Sequence, residues 1–298
     1  MEKERVPWWL WPNLLSIDAP LVALGWAWMF SRAWGVVSVR TQLWATLAVG
    51  VWMIDALDRI VDARRSKDGR DLARRHHFHH KHEKVFLIGV GLGAMWCFYT
   101  VLFTTAQTVL QYGFFVLLCS GFYFFLSVQR SRMDQAGIGK NLVAGLTFAY
   151  GASAGVHAYS PVLPIGDMIF SSEVLLFAAL CVVNMTAIDF WYLEGEEDED
   201  ASAVLNLGTL LIGGCAMFIY MSTLQRESFF FNSDYYHEEA FYKPFAVALL
   251  VGAASFFLLN QARRRIEAEA YRVLVDVAVA APVFVYWVMV SIDGDLRT

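Results

Sequence analysis

Residues 41–62 read Thr-Gln-Leu-Trp-Ala-Thr-Leu-Ala-Val-Gly-Val-Trp-Met-Ile-Asp55-Ala-Leu-Asp58-Arg-Ile-Val-Asp62. An apolar run ends in three aspartates whose spacing of three and four stacks them on one face of a helix. In a bilayer each carboxylate costs roughly 2.5–3.5 kcal/mol on insertion scales, and three together repel one another unless a cation holds them. The natural partner is a divalent metal. Composition supplies the bilayer: 57% of residues are hydrophobic and 17% charged, with a mean hydropathy of +0.46. Such a chain has too little polar surface to coat a soluble globule.

Hydrophobic runs of about 20 residues, the length that spans a bilayer, lie near 16–36, 41–63, 85–106, 109–128, 140–158, 171–193, 201–221, 241–260 and 271–290. They predict an all-α polytopic membrane protein with about nine transmembrane helices around a central cavity that opens near the cytoplasmic face. With the N-terminus inside, eighteen of the twenty-three Lys and Arg residues fall on the cytoplasmic side, among them nine from Arg59 to Lys84 and the cluster Arg263–Arg265. That asymmetry is the usual determinant of orientation, and the formal charge of −5 is not. The expected location is a bacterial inner membrane, N-terminus inside and C-terminus outside. The opening MEKERV followed by WWLWPNLL reads as an interfacial aromatic anchor and first span rather than a cleaved signal, since no small-residue site closes it. Cys97, Cys119, Cys181 and Cys215 lie in apolar runs without metal-type spacing and read as packing. No long polar segment interrupts the chain, so residues 1–298 form one expected domain, and no nucleic-acid partner is expected.

In this topology the runs 41–63 and 171–193 both descend to the cytoplasmic face. The second ends in Asn184-Met-Thr-Ala-Ile-Asp189-Phe-Trp-Tyr192-Leu-Glu194-Gly195-Glu196. On one continuous helix Asp189, Tyr192 and Glu196 share a stripe, and Glu194 joins them only if the helix opens at Gly195. The four acids after Glu196 read as a solvated loop. Asp276, about five residues into the last run, either pairs with Arg263–Arg265 or faces the cavity. Asn184 either orients a ligand or bridges helices. His157, Glu173 and His237 fall toward the opposite face.

These segments resemble the UbiA superfamily of intramembrane prenyltransferases, which have nine helices and two acidic motifs ending helices 2 and 6. The family's first motif, N-D-x-x-D-x-x-x-D, is matched at Asp55, Asp58 and Asp62, with Ile54 in place of the asparagine. Its second, D-I-x-D-x-E-G-D in some branches, is matched at Asp189, Glu194 and Gly195, with Tyr192 and Glu196 standing where aspartates would be. Lys140 opens a glycine-containing run as a basic residue does at the family's helix 5.

The resemblance implies transfer of an isoprenyl group from an allylic polyprenyl diphosphate to a lipophilic, aromatic acceptor. Magnesium takes one or two carboxylates and completes its shell with water and phosphate oxygens. Asp58 and Asp62 fit one ion, Asp189, Glu194 and Glu196 a second, with Asp55 as ligand or orienting group. Asp58, Asp62 and Asp189 are then the catalytic residues, because charge grows on the diphosphate as the allylic C–O bond breaks. Lys140, Arg65 and Arg132 are the diphosphate-binding candidates, and Arg64, Arg74 and Arg75 lie on the same side. Asn184, Tyr192 and Asp276 are candidates for the substrate pocket. Expected partners are the polyprenyl diphosphate, the acceptor and membrane lipids. An alternative is a UbiA-like scaffold that binds a polyprenyl or quinone-type lipid without transfer. A third derives from His76, His79 and His80, an H-x-x-H-H box like those of membrane oxidoreductases; with only His157 and His237 elsewhere, the histidines are too few for two irons. An amphipathic cytoplasmic helix across 76–82 fits them better.

Overall fold

Backbone groups in an apolar medium have no water to bond, so the chain satisfies them within helices. A computed structural model describes residues 6–36, 38–65, 74–103, 107–129, 137–160, 164–191, 196–229 and 236–295. In chain order its α-helices are α1 (Trp11–Leu14), α2 (Asp18–Ala33), α3 (Thr41–Arg65), α4 (Arg74–Lys81), α5 (Glu83–Phe103), α6 (Gln107–Gln129), α7 (Gly137–His157), α8 (Ile165–Ile169), α9 (Ser172–Phe190), α10 (Glu196–Phe229), α11 (Tyr236–Ala262) and α12 (Ala268–Asp295). Among the described residues there is no strand.

Each of the nine apolar runs contains one long helix, but length and apolarity together select six among the described residues: 83–103, 107–126, 165–190, 199–224, 243–265 and 268–292. A seventh is added if the bent pair Trp8–Leu14 and Asp18–Ala33 counts as one span. Helices α3 and α7, of 25 and 21 residues, are not among the six. They carry Asp55, Asp58, Asp62, Lys140 and Asn141, which lower their apolarity.

Neighbouring helices close a circuit. α2 packs on α3, α3 on α5, α5 on α6, α6 on α7, α7 on α9, α9 on α10, α10 on α11, α11 on α12, and α12 on α2. The α2–α9–α11–α12 side is solid. Trp26 stacks on Phe177 with ring centroids 4.1 Å apart, and Phe30, Phe245 and Tyr286 complete an aromatic core. The buried Trp26 Nε1 donates to the Val279 carbonyl at 2.9 Å, so no polar atom of the indole is left over. Between α7 and α9 the backbones approach closely: a Cβ on Gly145 would lie 2.9 Å from the Ala178 carbonyl oxygen and 2.6 Å from Val182 Cγ2.

The first span is broken. α1 meets α2 at 79°, through Ser16, which adopts a left-handed φ of 58°. The break withdraws carbonyls from the helical ladder, and side chains of other helices take them up: Trp52 Nε1 donates to the Leu15 carbonyl at 3.0 Å, and Arg59 donates to the Asn13 carbonyl. The short helix α4 docks on the same break. His79 Nδ1 lies 2.8 Å from the Arg75 carbonyl, so that nitrogen is the donor, and Nε2 accepts from the Ser16 hydroxyl at 3.1 Å. The His79 ring is fully buried and stacks on Phe86 at 4.1 Å. Both of its nitrogens are thus committed to protein atoms. His77 and His80 face outward, giving the amphipathic helix expected of this stretch.

Burial pushes the His79 pKa down to about 4 from its usual value near 6.5. As pH falls, the unfolded ring takes its proton first, so stability is present above pH 6.5 and is lost between 6.5 and about 4. We expect His79→Gln to flatten this loss by on the order of 2 kcal/mol, measured as the difference between wild-type and variant unfolding in detergent across that range. An unchanged acid slope in the variant contradicts the assignment.

Candidate functional site

A cavity of about 740 Å³ lies among α2, α3, α6, α7, α9 and α12. Its lining repeats at helical spacing: α7 contributes Lys140, Ala144, Thr147, Gly151, Ala154 and Gly155, so one face of the helix forms the wall throughout. Asp55, Asp58 and Asp62 from α3 and Asp189 from α9 open onto this one space, although 131 positions separate Asp58 from Asp189.

The acidic groups are individually held. Tyr123 Oη donates to Asp58 Oδ1 at 2.6 Å, and Lys140 Nζ lies 3.9 Å from the same oxygen. The ammonium also sits over the Tyr123 ring, 5.6 Å from its centroid. Asn141, one residue on from Lys140, donates to Asp189 Oδ2 at 3.0 Å and to Thr186 Oγ1 at 3.3 Å. The start of α7 therefore reaches both acidic helices, Lys140 toward α3 and Asn141 toward α9. Asp62 lines the cavity one turn beyond Asp58.

Asp55 is engaged differently. Arg59, one turn on and 4% exposed, approaches Asp55 Oδ2 at 2.8 Å and Asp18 Oδ1 at 3.3 Å while donating to the Asn13 carbonyl. Asn13 Nδ2 in turn donates to Asp18 Oδ2 at 2.7 Å and lies 3.5 Å from Asp276 Oδ2. Asn184 Nδ2 donates to the other oxygen, Asp276 Oδ1, at 3.0 Å. Of the two placements open for Asp276, the cavity wall is the one adopted. Arg263 and Arg264 instead reach the carbonyls of Phe190 and Trp191, at the C-terminal end of α9, where cations complement the helix dipole.

Other expected residues separate from this group. α9 is described to Phe190 and α10 from Glu196, and the stretch 192–195 on which a shared stripe from Asp189 to Glu196 depends lies outside the described residues. Tyr192, Glu194 and Arg132 lie outside the described residues, and Arg65 and Glu196 are described only as helical positions. His157 pairs with Tyr112 at 2.7 Å, and Glu173 accepts from the Ser172 hydroxyl at 3.2 Å. Sequence reasoning missed Asn13, Asp18, Tyr123 and Asn141, and counted Arg59 only as a topology determinant. One signal was present: Arg59 falls one turn after Asp55, the spacing of an intrahelical ion pair.

Among the described residues, no three His, Cys, Asp or Glu side chains gather closely enough to hold an ion unaided. The donor set nonetheless suits a hard cation: oxygens only, on two helices, with room between them for the water and phosphate oxygens that magnesium keeps. Comparison with known proteins finds no matching family model, no matching curated protein and no matching solved structure.

Removing Arg59 leaves Asp18, Asp55 and the Asn13 carbonyl without their shared donor. We expect Arg59→Met to destabilise the protein by about 3–5 kcal/mol, read by unfolding in detergent, with partial recovery when Asp18→Asn is added. A loss below about 1 kcal/mol is incompatible with a structural role for this network.

Proposed function

We propose that the protein is an intramembrane prenyltransferase of UbiA type, joining the isoprenyl group of an allylic diphosphate to a lipophilic acceptor. The observation that carries the proposal is the convergence of Asp58, Asp62, Lys140 and Asp189, from three helices remote in sequence, on one cavity that is otherwise largely apolar. A headgroup rich in negative charge and a hydrocarbon tail are the two things such a space accommodates together.

Nine spans follow if α3 and α7 cross the bilayer with the six apolar helices and the bent first pair. The lysine and arginine distribution then sets the N-terminus and the acidic end of the cavity on the cytoplasmic side of a bacterial inner membrane. Asp58, Asp62 and Asp189 are the groups that would hold magnesium, with Glu194 and Glu196 as further candidates and Asp55 committed to Arg59. Bound magnesium supplies positive charge against which diphosphate can leave. Lys140 adds a protein cation at the same place, 3.9 Å from Asp58. Tyr123 and Asn141 fix the orientation of Asp58 and Asp189, so the carboxylates need not reorganise when charge develops. The apolar walls exclude the water that would otherwise capture the allylic cation. Asn184 lies five residues before Asp189, about 7.5 Å deeper along α9. That depth suits Asp276, held between Asn13 and Asn184, to face the acceptor.

The test incubates purified protein with farnesyl diphosphate, magnesium and a panel of lipophilic aromatic acceptors. Wild type should release diphosphate in a magnesium-dependent way, and Asp58→Ala and Asp189→Ala should each lower that rate by about 10²-fold or more. Tight lipid binding that ignores magnesium and both substitutions would replace this reading with that of a lipid-binding scaffold.

A further inference from the structure

The cavity has a wide end and a narrow end. α9, α12 and α2 line it only near the carboxylates, from Cys181 to Asp189, at Asp276 and Val279, and from Asp18 to Val22. α3, α6 and α7 continue well beyond them, α3 from Asp62 back to Leu43, α7 from Lys140 on to Gly155, and α6 from Phe124 back to Val109. The narrow end is apolar and is kept open by small residues, Gly50, Gly113, Gly151 and Ala154 among them.

Two contacts measure this channel. At the mouth α3 and α7 are tied by Asp58 and Lys140, 3.9 Å apart. Near the floor they meet again, since a Cβ on Gly155 would lie 3.1 Å from Leu43 Cδ2, and past this contact only Val39 and Val156 continue those two walls. The interval is fifteen residues on each helix, from 58 back to 43 and from 140 on to 155. At 1.5 Å per residue both give about 22 Å, so the two walls agree on the depth. An extended isoprenyl chain built from C–C bonds of about 1.5 Å advances about 5 Å per unit.

We propose, building on the prenyltransferase reading, that the donor is a C20 diphosphate, its four isoprene units filling the channel from Asp58 to the Leu43–Gly155 floor. Gly50 sets the bore part-way down: it lies eight residues, about 12 Å, from Asp58, and a Cβ there meets no other atom within 4 Å. A side chain at Gly50 therefore enters open space, and a smaller residue at Leu43 lowers the floor.

The experiment measures binding of the S-thiolodiphosphates of geranyl, farnesyl, geranylgeranyl and geranylfarnesyl alcohols (C10, C15, C20 and C25) with magnesium, in lipid nanodiscs, alongside inorganic diphosphate. Wild-type affinity should rise about tenfold or more from C10 to C20 and gain nothing at C25. Gly50→Leu should move the preference to C10, and Leu43→Ala should make C25 at least equal to C20. The readout is the ratio between chain lengths within each protein, so a variant that is merely less stable weakens all probes together and leaves the wild-type order to decide. Affinity for the diphosphate group that is indifferent to chain length, or still rising at C25, overturns the C20 channel while leaving the prenyltransferase reading in place. Absence of magnesium-dependent binding for every probe, inorganic diphosphate included, removes both.

Discussion

A guanidinium can sit among helices in an apolar medium only when its donors and its charge are both satisfied, and Arg59 meets that condition through three helical segments. It joins the Asn13 carbonyl, at the break in the first span, to Asp18 at the start of α2 and Asp55 on its own helix. Asn13 extends the same network to Asp276 on α12, and Asp276 to Asn184 on α9. The break, the acidic face of α3 and the last helix are consequently one electrostatic unit. Without Arg59 the Asn13 carbonyl would lose its side-chain donor and the carboxylates would repel, which is why so polar an assembly survives in a chain of this composition.

The remaining packing divides the bundle into unlike halves. Trp26, Phe30, Phe177, Phe245 and Tyr286 fill the space among α2, α9, α11 and α12. Glycines and alanines along α3, α6 and α7 leave the opposite side hollow. A rigid aromatic wedge on one side keeps the helices of the other from collapsing inward, because close-packed interiors transmit such constraints. The polar contacts at the mouth of the hollow, Tyr123 to Asp58 and Asn141 to Asp189, then fix the carboxylates at its rim.

Much of this was legible in the chain. The spacing of Asp55, Asp58 and Asp62 predicts a common helical face, and all three line the cavity. Between Asp189 and Glu196 the same spacing runs across 192–195, outside the described residues, and what stands at the end of α9 is Arg263 and Arg264 from the α11–α12 connection, on the carbonyls of Phe190 and Trp191. Periodicity describes one helix at a time and carries no information about a partner at its end. Asp276 could be narrowed only to two placements, since its neighbours Asn13 and Asn184 lie 263 and 92 residues away.

By itself, then, the sequence determined that the chain is helical and apolar enough for a membrane, and that its costly carboxylates cluster at helix ends, because hydropathy and 3.6-residue spacing are local properties. Tertiary structure alone decided which carboxylates share a space, that Asp55 answers to Arg59 while Asp58 answers to Tyr123 and Lys140, and how deep the channel runs. Those outcomes depend on which helix lies beside which. A buried charge is stabilised by whatever donor stands across from it, and no local pattern names that donor.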